Sequence, residues 1–223
     1  MKKASWIEVL PELLESLGQT GWMVGWSFLI VAAVGLVVGV LLRLTAPDGL
    51  HPNQAAYQVV GAVVNLARSL PFLILMIALI GFTRWLVGTA YGPTAAIVPL
   101  SVGAIPFYAR VVEAALREVS PGKIEAAQVM GANTWQIVRK VLLPESLPGL
   151  ISGATLTLVT LIGYSTMAGA IGGGGVGDFA IRYGYQRFNA EVLVMAVVVL
   201  IVVVQVVQSL GDVVVQRMAH RRG

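Results

Sequence analysis

From Trp22 to Leu42 the chain carries no charged residue. A bilayer's hydrocarbon core, about 30 Å thick, needs about 20 apolar residues in a helix, so this run is long enough to cross it. A segment in lipid must pair its own amides and carbonyls, which restricts it to a helix or a closed barrel. Further apolar runs lie at 55–83, 91–109, 147–171 and 192–213, and the first reaches back to about residue 14. Runs this long are helical rather than barrel strands, whose apolar positions alternate over about 10 residues. The composition agrees, with 57% hydrophobic and 12% charged residues, where soluble domains carry roughly 25% charged. The expected fold is all-α: a polytopic membrane protein with about five transmembrane helices, one domain over 1–223, and a short polar loop at 110–146.

The ends and the loops set the orientation. The opening "MKKASWIEVLPELLESLGQ" has Glu8, Glu12 and Glu15 before any long apolar run, so no cleaved signal is expected. Trp6, Leu10, Leu13, Leu14 and Leu17 recur at helical spacing opposite those glutamates, which predicts an amphipathic helix at the interface or leading into the first span. Five spans put the termini on opposite sides. With the C-terminus inside, the cytoplasmic segments hold Arg43, Arg110, Arg117, Lys123, Arg139, Lys140, Arg217, Arg221 and Arg222. The outer segments hold Lys2, Lys3, Arg84, Arg182 and Arg187. The positive-inside rule therefore predicts N-terminus out, C-terminus in and a cytoplasmic loop at 110–146. The formal charge of +4 is read as membrane orientation, not as nucleic-acid binding.

Several chemistries lack their residues. There is no cysteine, so thiolate metal sites and cysteine nucleophiles are excluded. His51 and His220 lie outside the spans and form no histidine–carboxylate cluster, so no metal site is expected. No GxSxG surrounds Ser165, no GxxxxGK[ST] occurs, and no catalytic residue is assigned. Gly172, Gly174 and Gly177 fit GxGxxG, but no strand precedes them. Better readings are close helix packing and a flexible outer end of the fourth helix.

The polar stretch "EAAQVMGANTWQIVRKVLLPE", 125–145, stands out in so apolar a chain. Ser120 can cap a helix that has Pro121 at its first position and runs to about Met130. Gly131 stops it, and Asn133 or Thr134 can cap a second helix that ends before Pro144. The first is only about 15 Å long and needs a surface to pack on. Ala126, Ala127 and Gly131 permit a close backbone approach, Glu125 suits the helix start, and Trp135, Val138 and Leu142 form an apolar stripe. Two readings stay open from the residues: a docking site for another protein, or a hairpin lying on the membrane or on the chain's own helices.

Glu125, Ala126, Ala127, Gly131, Val141, Leu143 and Pro144 stand at the spacing of the signature loop of bacterial ABC importer permeases, with Val141 where isoleucine is usual. The chain therefore resembles that family along nearly its whole length. "RSLPF", "AAIVPL", "PFYAR" and "VRKVLLPESLPG" are most similar to its methionine-importer subgroup. The resemblance implies a type I ABC importer permease fold in the bacterial inner membrane, with 110–146 forming ATPase-coupling helices. It implies a homodimer, two cytoplasmic ATP-binding subunits that bind ATP and Mg, and an extracytoplasmic substrate-binding protein. It also implies carriage of a small amino acid, methionine in that subgroup, by alternating access. Another small solute is the alternative, and a non-transporting membrane scaffold a weaker one. An intramembrane enzyme using Ser165 or Arg68 is disfavoured because neither has a base nearby in sequence.

Inside the spans, Arg68 is costly in lipid, at least about 2.5–3.5 kcal/mol at the bilayer centre. With Asn65, Ser69 and Pro71 it marks either a polar hinge or an arginine snorkelling from a shallow position. Arg68, Tyr164, Ser165 and Met167 are the candidates for the translocation path or gate, with ordinary helix packing as the alternative for the last three. Gln205 and Gln208 are read as hydrogen-bonding between helices or to a second copy.

Overall fold

The computed structural model describes residues 8–219, so Lys2, Lys3, Trp6, His220, Arg221 and Arg222 lie outside the described residues. Ten α-helices and two π-helical turns account for almost all of these residues, with no strand among them. Four segments are long and apolar enough to cross a membrane: Leu10–Thr45, Pro93–Arg117, Thr134–Ala170 and Ala190–Met218. A fifth forms only if a bent pair, Gln54–Ser69 and Phe72–Ala78, is taken together.

Helix α1, Leu10–Thr45, is one continuous element of 36 residues, about 54 Å at the α-helical rise. The amphipathic lead therefore runs straight into the apolar part, with Leu13 buried and Leu10 and Leu14 exposed. Its partner is α5, Pro93–Arg117. A Cβ on Gly35 would stand 2.9 Å from the Tyr108 ring, and one on Gly39 would stand 2.7 Å from the Ala109 carbonyl. The GxxxG spacing of this pair lets α1 lie against α5. Buried Val31, Leu100, Ala104 and Val112 belong to the resulting core.

The expected second span, 55–83, is not one straight helix. Its residues fall in α2, Gln54–Ser69, α3, Phe72–Ala78, and α4, Ile80–Val87, and the α2–α3 bend is 101°. Pro71 explains the break, since it has no amide for the helical ladder and drives Leu70 into extended geometry, ψ 128°. Pro99 and Pro106 in α5 do not break their helix. There the packing against α1 and α8, Leu143–Ala170, holds the axis.

The glycine run after α8 is a folded turn. A Cβ on Gly169 would collide with the backbone of Gly177 and Asp178, and one on Gly177 with the backbone of Thr166. These two positions let α9, Gly175–Phe179, fold back against α8. From α1, Gln19 Oε1 accepts the Gly175 amide at 2.8 Å and Thr20 Oγ1 the Val176 amide at 3.0 Å, which satisfies the start of α9. A π-helical turn, Ala180–Tyr185, leads on to α10, Ala190–Ala219. On α10 Gln205 donates to Gln208 at 3.3 Å.

Candidate coupling loop and membrane path

The polar stretch folds as two short helices outside the long ones. Helix α6, Pro121–Val129, starts at a proline, where a missing amide costs nothing. The Ser120 side chain makes no capping bond. Gly131 then turns the chain at φ +78°, a left-handed conformation that L side chains disfavour. Of the two expected caps, Asn133 serves: its Oδ1 accepts the Gln136 amide at 2.9 Å, and Gln136 Oε1 accepts the Asn133 amide at 2.9 Å. This reciprocal box opens α7, Thr134–Ile137.

The second loop helix does not end before Pro144. A π-helical turn, Val138–Leu142, carries α7 directly into α8, with Pro144 at the first turn of α8. A proline there gives up an amide that the wider turn does not need. Ser146 Oγ donates to the Leu142 carbonyl at 2.7 Å and stiffens the junction. The turn also changes which residues face inward: Ile137, Val138 and Leu142 are buried, whereas Trp135 is 67% exposed. The apolar stripe is thus 137, 138 and 142, without the tryptophan.

The seven loop positions divide by side. Ala127 is buried, and Val141 and Leu143 pack against the core of the bundle. Glu125, Ala126, Gly131 and Pro144 are exposed. Beside the exposed set stand Val129, 88% exposed, and Met130, 81% exposed. Trp135 on α7 is exposed as well, so the loop leaves three large apolar side chains open. Lys123 Nζ meets Glu145 Oε2 at 2.6 Å, joining α6 to the start of α8. His51 Nε2 lies 2.7 Å from Thr134 Oγ1, joining the α1–α2 connection to α7. Glu125 and Gln128 border a cavity of about 270 Å³ with Arg43 and Asp48. The Arg43 guanidinium reaches Asp48 through both its carbonyl, at 3.1 Å, and its carboxylate, at 3.4 Å.

Of the four membrane positions, two come together. Arg68 and Tyr164 line one cavity of about 160 Å³ with Phe72, Gly103 and Phe107. Phe72, the first residue of α3, stacks on Tyr164 with ring centroids 4.1 Å apart and planes 6° apart. The bend at Pro71 is what brings this ring over α8. Met167 is 47% exposed, one turn further along α8. Ser165 does not share this surface. It is 1% exposed, and its hydroxyl donates to the Ile162 carbonyl at 2.7 Å. In this conformation its position on α8 points it into the bundle, so it does not line the cavity. Asn65 and Ser69 do not bind Arg68: Ser69 Oγ donates to the Asn65 carbonyl, and Asn65 Oδ1 accepts from Arg110.

Comparisons with known proteins agree with this layout. A relative from Vibrio cholerae, the probable D-methionine transport system permease protein MetI, is 51% identical over 98% of this chain and 97% of its own length. The methionine import system permease protein MetP of Bacillus subtilis is 54% identical over 77% of this chain and 78% of its own. A solved inward-facing structure of the MetNI methionine ABC transporter superposes with a TM-score of 0.94 at 47% identity, covering 96% of this chain and 99% of that one. An amino acid ABC transporter with histidines, 18% identical with a TM-score of 0.79, shares the fold over 97% of this chain and 99% of its own. The family described as binding-protein-dependent transport system inner membrane component matches residues 33–220. With its spans, its loop of two short helices and these relatives, the chain belongs to that family of inner-membrane transport components.

Proposed function

We propose that this chain is the permease subunit of an ATP-driven importer and carries methionine across the inner membrane by alternating access. The observation that carries the reading is the loop at 121–142, which buries Ala127, Ile137 and Val138 against its own bundle yet leaves Val129, Met130 and Trp135 in the open. A hairpin that only lay on its own helices would bury those three. An exposed apolar patch of this kind fits a protein partner. The names of the relatives and of the MetNI structure support methionine as the cargo and a complex as the working form.

In this reading the bundle is one transmembrane domain with five crossings, the bent α2–α3 pair with α4 making the second. Two copies form the pore, two cytoplasmic ATP-binding subunits hold ATP and Mg, and an extracytoplasmic binding protein delivers the substrate. The N-terminus is outside and the C-terminus in the cytoplasm. Glu125, Ala126, Gly131 and Pro144 face the ATP-binding subunit, while Ala127, Val141 and Leu143 fasten the loop to the bundle. The fastening gives the mechanism. Helix α6 begins just after the end of α5, and α7 is continuous with α8, so a push on the loop moves α5 and α8 together. Arg68, Tyr164 and Met167 on or beside that moving surface line the path, and Ser165 serves packing.

Uptake of labelled methionine by the reconstituted complex, set against other small apolar amino acids, tests the reading. ATP-dependent accumulation of methionine is expected. Accumulation of another compound without methionine would remove the substrate and keep the permease. Hydrolysis with no flux of any solute would favour a scaffold.

A further inference from the structure

Few side chains of α2 are buried. Only Gly61 and Val64 are, and Val59, Val63 and Leu66 are each more than 60% exposed. The face turned to α5 is joined instead by hydrogen bonds to a charged cluster on that helix. Glu113 of α5 is 4% exposed. Its Oε1 accepts from the Tyr57 hydroxyl at 2.9 Å and from Arg117 Nη2 at 3.0 Å, and its Oε2 from Arg110 Nη1 at 2.7 Å. The other arm of Arg110 donates to the Gly61 carbonyl at 3.2 Å and to Asn65 Oδ1 at 3.0 Å. A Cβ on Gly61 would stand 3.1 Å from that arm, so the guanidinium fits because the position is bare. Residues 57, 61 and 65 are successive turns of one face of α2, and 110, 113 and 117 one face of α5. Two helices are thus bonded across three turns by one buried carboxylate and its two arginines.

The two ends of this joint give it a role. Just beyond Arg117, α5 ends and α6 of the loop begins. Just beyond Asn65, α2 carries Arg68 and then bends into Phe72, which stacks on Tyr164. We propose that Glu113 is a positioning residue that makes α2 and the end of α5 one rigid lever, so that displacement of the loop reaches the cavity at Arg68 and Tyr164. This rests on the permease reading above. The carboxylate acts from within α5: it fixes Arg110, whose other arm spans to Gly61 and Asn65, and it takes the Tyr57 hydroxyl directly. Losing its charge therefore frees the arm that crosses, while losing Tyr57 leaves a buried carboxylate one donor short.

The test uses the full complex with its ATP-binding subunits and binding protein in proteoliposomes. Glu113→Gln is expected to insert and to hydrolyse ATP close to the parent rate, while methionine carried per ATP falls about fivefold or more. Glu113→Asp should restore part of the loss. Since the natural chain has no cysteine, spin labels at Gln58→Cys on α2 and Ala114→Cys on α5 report the joint directly. Their distance distribution should be narrow and the same with and without ATP in the parent, and broad in Glu113→Gln. An unchanged ratio of uptake to hydrolysis with a narrow distribution would overturn the proposal. So would a proportional loss of both activities, which is what a purely structural residue gives. If Glu113→Gln fails to insert, Tyr57→Phe and Gly61→Ala are read by the same two measurements. A parent complex that hydrolyses ATP and carries no solute at all would sink the permease reading, and the label distances would then decide the lever alone.

Discussion

At Gly131 the backbone turns at φ +78° with nothing within 4 Å of where a Cβ would stand. A side chain there has room, so the cost of one is conformational, about 1 kcal/mol or somewhat more. Gly131→Ala should therefore weaken binding of the ATP-binding subunits by about fivefold, measured by titration in detergent, and Gly131→Asn should weaken it less, because asparagine tolerates the left-handed region. The stop at 131 was legible, since a glycine between two helical patterns has few other uses. Ser165 was not. Its neighbours are half-buried Tyr164 and exposed Met167 while it is buried, and a stretch of small polar residues gives no phase by which to tell the faces apart. Gly35 and Gly39 were legible in principle, at GxxxG spacing, but inside an unbroken apolar run the spacing names no partner helix.

Among the elements, the apolar runs set the long helices and the loop's caps set the short ones. Asn133→Ala removes one half of the reciprocal box with Gln136 and should cost about 1 kcal/mol at the start of α7. Faster hydrogen exchange at the Gln136 amide, with α10 unchanged as an internal reference, is the expected sign. The bend at 70–71 and the continuation through Pro144 lay beyond the sequence for the same reason. Proline removes one amide wherever it falls, and whether the helix ends depends on what packs around it. At Pro71 the chain turns by 101°, whereas at Pro99 and Pro106 α5 stays whole against α1 and α8. At Pro144 the preceding π-helical turn absorbs the change. That turn also explains the tryptophan, because a wider turn advances the helical phase and a stripe counted at 3.6 residues per turn loses register across 138–142. Ile137 is buried in place of Trp135.

For the whole molecule, the contacts sort the helix ends into two groups, and the groups differ in charge. Arg43 and Asp48 meet Glu125 and Gln128 around one cavity, His51 meets Thr134, and Lys123 meets Glu145. The end of α1, the start of α2 and the loop therefore share one side. At the other end Gln19 and Thr20 of α1 hold Gly175 and Val176, and the Gly92 amide donates to the Gly172 carbonyl at 2.8 Å. The first side also has the excess of arginine and lysine, and the proposed orientation, with that side in the cytoplasm, rests on the positive-inside rule. Because the chain has no cysteine, one introduced thiol at a time reads this out with a membrane-impermeant maleimide. Trp85→Cys, at a position 78% exposed on α4, should react in intact spheroplasts. Lys140→Cys, exposed on the loop, should react only after the membrane is opened. The reverse pattern would invert the chain and put the loop outside, where no ATP-binding subunit can reach Glu125. Orientation and docking therefore stand or fall on the same pair of labels.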